Sequence, residues 1–134
     1  MDDRYERRNR RKYRLQAHIV LVTKYRKKLL EGDMGEFCKG ACRRLADLNG
    51  WEIVAVETDS DHIHLLLAYD ATERICDIVA AIKQRTTRWL WERWADTLSG
   101  QYWKKHIFWS DGYFACSVGE VSGATIERYI AEQG

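Results

Sequence analysis

At 134 residues, with 46% hydrophobic and 31% charged side chains and no proline, the chain has the size and composition of one compact domain. That composition excludes collagen-like, low-complexity and disulfide-scaffold classes, and no apolar run is long enough to span a membrane. The net charge of +2 hides an asymmetry: residues 1–30 hold 11 Lys and Arg against 3 Asp and Glu, whereas the remainder hold 11 against 17. A basic opening on an acidic body suits a polyanionic partner, and suits a merely solvated tail equally well.

Residues 1–12 read as a flexible basic arm. No apolar segment follows them, so no secretory signal is expected and the cytoplasm is the expected location. Residues 13–23 alternate as a strand, with Leu15, Ala17, Ile19 and Leu21 on one side and Val20 and Val22 on the other, which predicts cover on both faces. Phe37, Ala41, Leu45 and Leu48 mark an amphipathic helix over 33–48, and Asn49-Gly50 stops it. The four cysteines, Cys38, Cys42, Cys76 and Cys116, lack the paired spacing of a structural zinc site. Cys38 and Cys42 share the helix's apolar stripe and read as buried free thiols in a reducing compartment.

Residues 51–58 and 62–69 read as strands of a hairpin around Asp59-Ser60-Asp61. A long helix is predicted from Thr72, its N-cap, to Leu98, closed by Ser99-Gly100. Residues 102–109 (YWKKHIFW) then alternate like another strand, Ser110-Asp111-Gly112 turns the chain, and Tyr113–Val118 either extends the sheet or covers it. A helix over 121–133 carries Ile126, Tyr129 and Ile130. The fold class is α+β: a ferredoxin-like, split βαβ antiparallel sheet with helices on one face, plus a C-terminal helix, all in a single domain.

The most informative stretch is Asp61-His62-Ile63-His64-Leu65-Leu66-Leu67. Side chains two apart on a strand share a face, so His62 and His64 project together while Ile63, Leu65 and Leu67 face the core. Two such imidazoles are half a metal site, although the spacing alone describes hydrogen-bonded strand histidines as well. Tyr129 and Gln133 lie one helical turn apart on a common stripe. Periodicity alone does not choose Tyr129 among the seven tyrosines. Lys24, Arg26, Lys27 and Lys28, with Lys83, Arg85 and Arg88 on the long helix, are candidate phosphate contacts. Trp89 and Trp109 are expected to pack rather than to stack on bases.

In order along the chain, His18-Ile19-Val20, Thr23-Lys24-Tyr25-Arg26-Lys27-Lys28, the His62–His64 strand, Ile82-Lys83, Arg88, Trp109, Gly112-Tyr113-Phe114, Ser117-Val118-Gly119 and Arg128-Tyr129-Ile130 with Gln133 follow one pattern. It resembles that of the small single-tyrosine HUH transposases of the insertion-sequence 200/605 family. The resemblance implies that Tyr129 attacks a DNA phosphate to give a 5′-phosphotyrosine, while His62, His64 and Gln133 hold Mg²⁺ or Mn²⁺. It implies single-stranded DNA with subterminal hairpins as substrate, and a homodimer whose active sites join the histidines of one subunit to the tyrosine helix of the other. Ser60 stands where the family often has proline. From the residues alone, a non-catalytic RNA-binding module of the same topology and a metal hydrolase using water stay open, as does a domesticated relative of the family.

Overall fold

The computed structural model describes residues 15–118 and 123–133. The predicted basic arm, and residues 119–122 ahead of the last helix, lie outside that range. Eight elements follow in order: β1 (Leu15–Val22), a short 3-10 turn (Lys24–Arg26), α1 (Gly32–Asn49), β2 (Glu52–Asp59), β3 (His62–Tyr69), α2 (Ile75–Tyr102), β4 (Phe114–Ser117) and α3 (Gly123–Glu132). The four strands form one antiparallel sheet in the order β2-β3-β1-β4, as the split βαβ reading requires.

The sheet's alternation divides the molecule. Ala17, Ile19 and Leu21 of β1 and Ile63, Leu65 and Leu67 of β3 are buried on one face with Cys38, Cys42 and Leu45 of α1 and Ile78, Ile82 and Leu90 of α2. Burying an aliphatic side chain stabilises by about 1.5–3 kcal/mol, so this face is the fold's main reserve of free energy. On the other face, cross-strand register aligns Val22 with His62 and Val20 with His64. Val20 and Val22 are buried there too, as the double-sided pattern of β1 predicts. Gly50 closes α1 with a left-handed φ of 77°, a conformation that costs glycine no Cβ clash.

Three sequence expectations are corrected. Thr72 is not the N-cap of α2: its amide and hydroxyl both bond Asp70 Oδ1 in a turn, and the cap falls at Arg74. Ser99-Gly100 does not end α2, because Leu98 and Tyr102 lie one turn apart on its buried stripe and the Tyr102 hydroxyl donates to Lys24 O (2.9 Å). That anchorage outweighs the roughly 1 kcal/mol that a helical glycine costs. Consequently 102–109 is no strand; Trp103 leaves the helix at φ 59°, and only Trp109 reaches the sheet, through a single bridge to Thr23. The fourth strand is instead β4, paired to β1. Of the cysteines, Cys38 and Cys42 are buried as expected and Cys76 is exposed.

Trp109 packs, as predicted, and a buried threonine fixes it. Thr86 Oγ1 donates to Ile82 O (2.6 Å) and accepts from Trp109 Nε1 (2.9 Å). Thr86→Val keeps the shape but strands the indole N–H, so it is expected to destabilise the fold by about 1–3 kcal/mol. The midpoint and slope of urea denaturation check this.

Candidate functional site

The face of the sheet opposite α1 and α2 carries the chemistry. Across it the register forms rows: Asp59, His62 and Val22; then Glu57, His64, Val20 and Phe114; then Leu66, His18 and Cys116. Directly paired residues of an antiparallel sheet share a face, so all of these side chains address one surface. Helix α3 lies over it. The Tyr129 ring packs on Phe114 with centroids 5.6 Å apart, and Ala131 O lies 3.5 Å from the Arg26 guanidinium. The sheet's alternation thus presents the two imidazoles on the face that the tyrosine helix covers.

Each imidazole has a partner that sets its orientation. His62 donates its Nδ1–H to Asp61 Oδ1 (2.9 Å), because a carboxylate can only accept, and this leaves Nε2 available as a ligand. Arg26 holds the other carboxylate oxygen of Asp61 at 3.0 Å. Burial pushes the Asp61 carboxyl up, but the hydrogen bonds from His62 and Arg26 outweigh it and keep the group below the usual carboxylate range. His64 is half-buried, and Nε2 lies 3.0 Å from His18 Nδ1. Burial, and after it the neighbouring His18, holds the His64 imidazole below the ordinary histidine value, so it is neutral at physiological pH and able to ligate.

Tyr129 is placed differently. Its hydroxyl is buried and, among the described residues, has no hydrogen-bond partner; it rests against Gly112, where a Cβ on that glycine would lie 3.5 Å from it. Burial pushes the phenol above its usual value. Gln133 is half-buried just past the end of α3, its backbone N–H bonded to Ile130 O (3.1 Å). Among the described residues, neither the Tyr129 hydroxyl nor the Gln133 amide bonds His62 or His64. The donor types nonetheless suit a divalent cation that accepts mixed nitrogen and oxygen ligands: a neutral His64, a His62 nitrogen left open by Asp61, and an amide oxygen within one helical turn of the phenol. Among the described residues, no cluster of three or more His, Cys, Asp and Glu forms a metal site.

The predicted basic contacts fall into two groups. Arg26 and Lys28 line an open cleft of about 370 Å³ with Asp61, His62, Glu127 and Ile130. Lys28 is exposed there, whereas Arg26 is tied to Asp61 and Lys24 pairs with Asp111 (3.3 Å). Thr23 Oγ1 donates to the carbonyl of Lys27 (2.7 Å), which fixes the turn. Tyr25 and Arg26 adopt left-handed φ of 61° and 51°, a local strain at the rim of the site. Arg85 and Arg88 lie on α2, on the far side of the sheet. Arg85 sits over the Trp89 ring, and Arg88 pairs with Glu92.

Lys83, predicted as a phosphate contact, is committed to the fold. Its Nζ donates to the carbonyls of Ser110 (2.7 Å), Asp111 (3.0 Å) and Gly112 (2.8 Å), using all three donors. It thereby pins the loop against which the Tyr129 hydroxyl rests. Lys83→Met is expected to cost about 1.5–3 kcal/mol in urea denaturation and to raise hydrogen exchange over 110–112. A larger cleft of about 910 Å³ beside Lys83 is lined by Trp91, His106 and Trp109 and contains neither imidazole of the β3 pair nor Tyr129.

His18 was not among the candidate ligands. Its signal was its place in the opening strand, alternating with the core-facing residues, but the partner 46 positions away was not readable without the register.

Comparison with known proteins bears on this arrangement. The family model described as IS200-like transposase matches residues 11–133. The ISDra2 transposase TnpA of Deinococcus radiodurans is 31% identical over 121 residues, covering 90% of this chain and 85% of that protein. A crystal structure of a Deinococcus radiodurans R1 protein assigned as a transposase superposes with a TM-score of 0.82 at 32% identity, over 90% of this chain and 92% of the other. A REP-associated tyrosine transposase bound to a REP hairpin shares the fold, with a TM-score of 0.57 at 12% identity over 87% of this chain and 62% of that one.

Proposed function

The chain belongs to the IS200-like transposase family, and on that premise we propose that it nicks and rejoins single-stranded DNA through Tyr129. One observation carries the reading: the helix bearing Tyr129 lies across the same sheet face that presents His62 and His64, with a cleft between helix and strand lined by Arg26 and Lys28 as well as by Asp59, Asp61 and Glu127. Tyr129 Oη attacks the scissile phosphorus, the bond from phosphorus to the 3′ oxygen breaks, and the DNA is left as a 5′-phosphotyrosine and a free 3′-hydroxyl. The ester conserves the energy of the broken linkage, so reversal by a 3′-hydroxyl rejoins strands without a nucleotide cofactor.

His62, His64 and Gln133 are the residues proposed to hold Mg²⁺ or Mn²⁺. Such an ion, when bound, would stabilise charge on the scissile phosphate oxygens and orient them for in-line attack. Asp61 fixes the His62 tautomer, and Lys28 with Lys24 and Lys27 neutralises the incoming backbone. A phenol ionises near pH 10, and burial carries Tyr129 further from reactivity, so the arrangement described is a resting one. For attack, the hydroxyl must leave Gly112 and reach a pair of imidazoles, its own chain's or, in a shared site, the partner subunit's. The substrate class, single-stranded DNA bearing hairpins, follows from the family resemblance and agrees with the hairpin held by the REP-associated relative. A homodimer with active sites shared between subunits belongs to the same proposal.

The test is a labelled single strand carrying hairpins, drawn from the DNA flanking the gene. With Mn²⁺ or Mg²⁺ it is expected to yield a detergent-stable protein–DNA adduct and a free 3′-hydroxyl. EDTA is expected to remove both. Cleavage without any adduct would instead identify a hydrolase that uses water.

A further inference from the structure

We propose that His18 is a positioning residue for His64, holding that imidazole as Asp61 holds His62. The inference rests on the metal-site reading above and goes beyond it, because His18 has no part in the ligand set.

The geometry is specific. In the β1–β3 register His18 faces Leu66 and Val20 faces His64, so the two histidines are diagonal neighbours on one sheet face. Diagonal pairs stand about 7–8 Å apart, within reach of aromatic side chains. The rings do meet, with centroids 5.1 Å apart, planes tilted by 45°, and His18 Nδ1 lying 3.0 Å from His64 Nε2. Two ring nitrogens at that separation need one proton between them. One ring donates and the other accepts, which fixes complementary tautomers in the two rings. Both rings are half-buried, so water competes poorly for the bond.

A histidine that merely fills the sheet would need only a carbonyl or water. This one spends its Nδ1 on a candidate ligand, and its neighbours in the row are Leu66 and Cys116. His62 is held at Nδ1 by a carboxylate and His64 at Nε2 by an imidazole, so the first ring keeps Nε2 for a cation and the second keeps Nδ1, with His64 Nε2–H donating to His18 Nδ1. Partners of this kind are typically worth about 10–100-fold in metal affinity.

The experiment uses the full chain and Mn²⁺ alone, followed by calorimetry and by nitrogen-15 NMR of the histidine rings. In metal-free wild type, a coupling across the hydrogen bond is expected between His18 Nδ1 and His64 Nε2, and it is expected to vanish in His18→Ala. His18→Ala should bind Mn²⁺ about 10–100-fold more weakly. His18→Asn, whose amide reaches the position of the lost Nδ1, should recover most of that loss. Equal or tighter binding by His18→Ala would overturn the proposal, as would failure of asparagine to rescue. Electron paramagnetic resonance showing one coordinating nitrogen fewer in His18→Ala than in wild type would also overturn it, making His18 a ligand. Should wild type itself not bind Mn²⁺, the metal-site reading fails, and the ring coupling still reports on the His18–His64 bond by itself.

Discussion

Replacing Tyr129 by phenylalanine is expected to abolish the protein–DNA adduct, lowering cleavage by at least about 10³-fold, while leaving the fold as stable as before or slightly more so. The two halves of that expectation come from the same atom. The Tyr129 hydroxyl is buried and has no hydrogen-bond partner among the described residues, so deleting it breaks no bond there and relieves a desolvation cost of about 1–3 kcal/mol. The ring, which Tyr129→Phe retains, is the part that packs on Phe114. Loss of function with unchanged or raised stability is the signature of a nucleophile rather than of a packing residue. The phenol also imposes a pH dependence. Its folded value is raised by burial, so the stability it contributes is complete below about pH 10 and is lost as pH rises through the folded value. The phenylalanine variant should lack that alkaline loss. Adduct yield on denaturing gels and urea midpoints from about pH 8 upward, spanning the phenol's titration, check both statements. An adduct that persists in Tyr129→Phe would move the nucleophile elsewhere, and peptide mapping would find it.

Much of the candidate site's placement was legible because it depends on periods of two and of 3.6 residues. His62 and His64 share a face by strand geometry alone, and Ile63, Leu65 and Leu67 turn inward for the same reason. The stop at Asn49-Gly50 worked because Gly50 occupies a left-handed position. What was not legible depends on register and on tertiary capture. Alternation in 102–109 imitates a strand, yet Leu98 and Tyr102 hold the helix through Gly100 into that segment. A lysine on a helix reads as a surface cation, and only the approach of the 110–112 loop converts Lys83 into a structural donor. The His18–His64 contact joins residues 46 apart and exists only once β1 is set diagonally against β3. Side-chain chemistry was readable, whereas the pairing of distant groups was not.

The placement of Tyr129 bears directly on assembly. Its ring rests at the β4 edge of the sheet, on Phe114, while His64 stands on β3 with β1 between them. Adjacent strands are about 4.8 Å apart, so Phe114 and His64, in one row across the sheet, stand two strand spacings from each other. Within one chain the phenol therefore has to travel to meet the imidazoles, whereas a partner chain's helix need only be placed over them. Equimolar mixing of Tyr129→Phe with His64→Ala, each inactive alone, discriminates between the two. In a two-fold dimer with shared sites, every mixed pair contains one site with intact histidines from one subunit and an intact tyrosine from the other. Random exchange then restores about a quarter of wild-type adduct, because half of the dimers are mixed and each has one competent site of two. The DNA should be found attached only to the His64→Ala subunit, which a size tag on that subunit reports. If sites assemble within one chain, no mixed pair contains a complete set and the mixture stays as inactive as its components.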